Sequence, residues 1–159
     1  MMNNPESACD EAQEKQLKLY MFFGLLNLKT LSTWMPVEID GAEVKDTAQK
    51  RKHLETMSTA LTCQDYQRVF GSRHASIKHI PGEQIRSFGC LLTPEQEEVC
   101  DNIESLGFYY EKIKVSVMLH PKDGGEDRAA EAYVYKMLDC HIQQDVEEGL
   151  THENDNYVR

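Results

Sequence analysis

The chain has 159 residues, of which 40% are hydrophobic and 28% charged, an ordinary balance for one folded domain with a real core. Its formal net charge is −10, which argues against nonspecific binding to nucleic acid or to an anionic membrane surface. No stretch approaches the roughly 18 consecutive apolar residues that a membrane-spanning helix needs.

The opening run, MMNNPESACDEAQEKQ, is polar and acidic, unlike a signal or transit peptide, so a cytoplasmic location is expected. Residues 1–15 read as a disordered tail, 16–140 as a single domain and 141–159 as an acidic C-terminal tail with a short helix over 143–148. Cys9, Cys63, Cys90, Cys100 and Cys140 are odd in number and include no Cys-x-x-Cys pair, so reduced thiols packed as small hydrophobes are expected. Cys140-His141 is an adjacent pair of soft ligands without two more at matching spacing. No metal or cofactor is expected.

LKLYMFFGLLNL (residues 17–28) is the most apolar run and predicts a buried strand through Phe23 with a turn at Gly24. Such a strand end leaves backbone N–H groups free to face a ligand. Residues 29–57 read as a variable insertion with the character of a lid. Trp34 to Val37 form an irregular loop there, and Ala42 to Met57 carry helix-forming residues without an apolar stripe. Lys50 to His53 form a basic cluster on a solvated face.

From Ser58 the pattern turns to β. Short strands are expected over 59–62, 66–70 and 75–80, separated by Gly71-Ser72 and Pro81-Gly82, and another over Ile85 to Leu92. Thr93, Pro94 and Gln96 then form a capping box with proline at the first helical position. Val99, Cys100 and Ile103 supply the buried face of that helix, and Glu104 lies at its edge. Tyr109 to Leu119 alternates as a strand, and a Gly-containing turn over 121–127 leads to Ala130 to Met137. The fold class is α+β: a small, mostly antiparallel sheet or barrel crossed by a helix.

Standard catalytic motifs are absent: no Gly-x-Ser-x-Gly elbow, P-loop, Gly-x-Gly-x-x-Gly or His-Glu-x-x-His. What remains is one carboxylate, Glu104, where a helix ends near aromatic residues, together with the glycine turn after the apolar strand. A buried acid and backbone donors can run proton-transfer chemistry without a metal. A plain surface carboxylate at a helix end fits the same residues.

Three stretches together resemble the γ-glutamylcyclotransferase superfamily, including its γ-glutamylamine cyclotransferase and AIG2-like members. LYMFFGLLN resembles the opening strand and Tyr-Gly-Ser/Thr-x-Leu loop, with Phe23-Gly24-Leu25-Leu26 in its place. Residues 60–96 follow the run of strands, and DNIESLGFYYEKIKVSV resembles the glutamate-bearing segment. The resemblance covers about residues 17–138. It implies an enzyme that releases 5-oxoproline from a γ-glutamyl amine or peptide, in glutathione-type metabolism, by lyase or acyltransferase chemistry. Glu104 would be the catalytic proton shuttle, and Phe23, Gly24, Leu25, Leu26 and Tyr110 would bind substrate.

Four positions depart from the family pattern. Phe23 stands for tyrosine, Leu25 for a small hydroxyl residue, Ser105 for glycine and Glu111 for arginine. Two other readings stay open: an inactive relative that binds a small γ-glutamyl or carboxylated ligand, and a protein-interaction module using residues 29–57 and the acidic tails. The expected partner is a small molecule, with neither nucleic acid nor membrane; oligomeric state is not legible.

Overall fold

In the computed structural model, residues 16–23, 27–71 and 74–139 are described. Five strands close into a barrel in the order β1 (Lys18–Phe22), β5 (His74–Leu92), β4 (Ser58–Gly71), β6 (Tyr110–His120) and β7 (Arg128–Met137). All neighbours are antiparallel except β1 and β7, which close the barrel in parallel with Tyr20 opposite Tyr133. The barrel is therefore mixed, and the α+β class expected from the sequence is the one found.

β1 lies between β5 and β7 and from Tyr20 onward is buried on both faces, which is why residues 19–23 read as an unbroken apolar run. Met21 and Phe23 turn into the barrel with Leu61, Cys63, Ile77, Val115, Val117 and Val134. Tyr20 and Phe22 turn outward and pack with Leu31, Leu54 and Cys100 from the three helices α1 (Leu28–Trp34), α2 (Thr47–Thr56) and α3 (Pro94–Ile103).

Residues 29–57, expected as a variable insertion with the character of a lid, put Leu31, Met35, Val37 and Leu54 into this outer core. They contain α1, held by an Asn27–Thr30 capping box, a small hairpin of β2 (Glu38–Ile39) and β3 (Ala42–Glu43), and α2. Pro81-Gly82 does not end a strand: β5 runs straight through it. The register shifts between Gln64 and Tyr66 of β4, so Pro81 falls where no ladder N–H is needed. Asp65, at φ +68°, accepts a hydrogen bond from the Gly82 N–H at 3.0 Å and locks that bulge.

Among the described residues, no helix is long and apolar enough to cross a membrane. The expected tails at 1–15 and 141–159, and the Cys140-His141 pair, lie outside the described residues.

Leu54 is the one buried residue of α2, so it decides whether that segment belongs to the cooperative core. Leu54→Ala should lower unfolding free energy by about 2–5 kcal/mol with a single transition retained. Urea denaturation followed by circular dichroism checks this; an unchanged midpoint would mean that residues 29–57 pack independently.

Candidate active site at the end of helix α3

α3 begins as its sequence requires. The Thr93 side chain accepts from the Gln96 N–H, the Gln96 side chain returns the bond to the Thr93 N–H, and Pro94 occupies the first turn. The buried stripe differs from the expected one. Gln96 and Cys100 are buried, whereas Ile103 is 37% exposed. The spacing 96, 100, 104 advances four residues each time, so Glu104 continues the inward stripe instead of flanking it.

The helix stops in a Schellman motif. The Leu106 N–H bonds the Asp101 carbonyl at 3.0 Å, and the Ser105 N–H bonds the Asn102 carbonyl at 3.2 Å. Ser105 takes φ +48°, the left-handed conformation that glycine adopts freely and that costs other residues about 1–2 kcal/mol. Leu106 folds back against the outer core. This turn fixes Glu104 at the helix C-cap, where its carboxylate is half-buried and has no hydrogen bond or ion pair among the described residues. Burial alone pushes its pKa from an ordinary 4.5 up to about 7. The Cys100 thiol, four residues back, is also pushed up, first by burial and then by the Glu104 charge.

The remaining predicted site residues divide. Tyr110 opens β6 and is buried, with its hydroxyl donating to the Ala75 carbonyl at 3.1 Å. Its ring lies 5.8 Å from that of Tyr109. Phe23 is buried in the barrel interior, so its ring serves packing. Gly24, Leu25 and Leu26 lie outside the described residues.

A charged cluster on the same helix escaped the sequence reading. Glu97 accepts hydrogen bonds from the Tyr20 hydroxyl, from Lys18 at 3.2 Å and from Lys112 at 3.1 Å. Asp101 lies 3.0 Å from Lys112 and accepts from the Tyr135 hydroxyl. Lys112 also sits 5.4 Å from the Tyr20 ring centre and 5.7 Å from that of Tyr135. Burial raises the Glu97 pKa, but bonds from Tyr20, Lys112 and Lys18 outweigh it and hold the carboxyl below its usual value. Burial and the adjacent carboxylates push both tyrosines up. The available sequence signal was the pair Glu97 and Asp101, one helical turn apart, facing the Lys112–Lys114 side of β6.

No family model and no curated protein matches this sequence. Its fold has known relatives. At5g39720.1 from Arabidopsis thaliana superposes with a TM-score of 0.53 at 16% identity, covering 78% of this chain and 70% of its own. At3g28950.1 from the same plant gives 0.51 at 14% identity, covering 88% and 70%. A gamma-glutamyl cyclotransferase is also among the similar structures, at 12% identity over 87% of this chain and 90% of its own. Its TM-score is 0.42. The two plant proteins establish a shared fold and nothing finer.

The Glu104 environment has a thermodynamic consequence. The folded chain holds its proton up to about pH 7, whereas the unfolded chain releases it near 4.5. Stability from this group is therefore full below the unfolded value and lost as pH rises through the folded one. The loss is on the order of 3 kcal/mol. Urea midpoints from pH 4 to pH 8 should fall for the native chain and fall less for Glu104→Gln; parallel curves would place Glu104 in water.

Proposed function

We propose that this chain is a γ-glutamylcyclotransferase-like enzyme that releases 5-oxoproline from a γ-glutamyl amine or γ-glutamyl peptide. The observation that carries the reading is Glu104: a carboxyl raised toward neutrality by burial, at the position where the sequence resembles the family's glutamate. The fold supports it by supplying the barrel and capped helix that the resemblance implies.

In the proposed reaction the substrate's own α-amine attacks its γ-carbonyl carbon. A five-membered lactam forms, the γ-amide C–N bond breaks, and the amine leaves. Because both reacting groups belong to one molecule, holding the near-attack shape supplies much of the acceleration. The attacking nitrogen must lose a proton and the leaving nitrogen must gain one. A carboxyl with a pKa near 7 populates both forms at neutral pH, so Glu104 serves as base in the first half and acid in the second. Main-chain N–H groups of residues 24–26 are assigned to the substrate carboxylate or the developing oxyanion, because main-chain donors need no particular side chain. Tyr110 is assigned to the pocket wall.

The test is 5-oxoproline formation, read by mass spectrometry, from glutathione, γ-glutamyl dipeptides and γ-glutamyl-lysine. At least one substrate should turn over, and Glu104→Gln should reduce the rate by about 100-fold or more. Full activity in that variant would remove Glu104 from the mechanism, and no turnover with any substrate would remove the enzyme reading.

A further inference from the structure

A second arrangement of reactive groups lies at the other end of β6. His120 closes the strand that Tyr110 opens, ten residues away, or roughly 30 Å at about 3.3 Å per residue. Thr62 sits on the neighbouring strand β4, opposite Met118 of β6 and Arg86 of β5. Leu61 and Cys63 turn into the barrel, so Thr62 turns outward. Its Oγ1 is 2.7 Å from His120 Nε2, and His120 Nδ1 is 3.0 Å from Oδ1 of Asp127, in the turn before β7. Thr62, His120, Arg86, Ala60 and Met118 line one recess of about 500 Å³.

The proton positions follow from chemistry. A carboxylate only accepts hydrogen bonds, so the His120 Nδ1–H donates to Asp127. In the neutral tautomer that this bond selects, Nε2 is an acceptor and the Thr62 hydroxyl donates to it. A hydroxyl whose proton is already directed at a base, with that base oriented by a carboxylate, is the arrangement that activates an oxygen nucleophile. Arg86 adds a cation with no ion-pair partner among the described residues, and Ala60 and Met118 add apolar wall.

We propose that Thr62, His120 and Asp127 form a second, esterolytic site, separate from Glu104, that accepts short aliphatic acyl esters. Thr62 Oγ1 attacks the ester carbonyl carbon while its proton passes to His120 Nε2. The tetrahedral intermediate places its negative oxygen toward Arg86, then collapses and expels the alcohol, which takes the proton from His120. Water, deprotonated by the same nitrogen, next attacks the acyl-Thr62 ester. The carboxylic acid leaves and the proton returns to Thr62. The acyl chain lies against Ala60 and Met118.

Rapid mixing with p-nitrophenyl butyrate tests this, combined with mass spectrometry of the peptide containing Thr62. Expected are a nitrophenolate burst of about one equivalent per chain and a butyryl group on Thr62. Thr62→Val should abolish both and Thr62→Ser should keep both, which separates loss of the nucleophile from loss of the fold. Asp127→Asn should slow acylation about tenfold or more. A burst that persists in Thr62→Val, a butyryl group found only on lysine or histidine, or no burst would overturn the proposal. The three residues would then be a hydrogen-bonded chain that only ties β4 to the 121–127 turn.

Discussion

Lys112 reaches from β6 between two carboxylates one turn apart on α3, 3.1 Å from Glu97 and 3.0 Å from Asp101. The position of the helix depends on this contact. Tyr20 from β1 and Tyr135 from β7 add their hydroxyls to the same carboxylates, so three strands of the barrel grip one helix face. In a partly desolvated cluster each member satisfies another, and removing one would strand the charge that it paired. The clamp leaves α3 little freedom to slide or rotate. Its last turn, and the carboxyl that the turn carries, are therefore set by interactions made one and two turns earlier.

Two glutamates on one helix consequently behave in opposite ways. Glu97 is ringed by donors and stays ionised below the ordinary range; Glu104 is buried without them and holds its proton up to about pH 7. Pushing two carboxyls apart by environment is how a fold assigns one to structure and another to proton transfer. The Schellman turn completes the separation by holding Ser105 in a left-handed conformation, a strain the helix end bears to keep Glu104 on the buried stripe.

Much of this was legible in the residues. Thr93, Pro94 and Gln96 form a local capping pattern that needs no tertiary partner, and α3 starts where they place it. β6 and β7 were readable because their alternation is local too. What failed required distant information. The parallel pairing of β1 with β7 leaves no mark on either strand's own pattern. Pro81-Gly82 reads as a break until the opposing Asp65 bulge is known. The weak stripe of 29–57 concealed core residues because Leu31, Met35, Val37 and Leu54 come from different elements. Glu104 was identified as a candidate from the sequence, but its place on the buried stripe follows from Gln96, in place of Ile103, facing inward with Cys100.

The most direct test is the protonation equilibrium of Glu104 itself. Carbon-13 NMR of the side-chain carboxyl carbons, assigned by loss of one signal in Glu104→Gln, would follow each glutamate across pH. The Glu104 signal should titrate near pH 7, while Glu97 should titrate below the ordinary carboxylate range. A Glu104 midpoint near its ordinary value of 4.5 would show a solvated carboxylate, and the proton-shuttle role would fall with it.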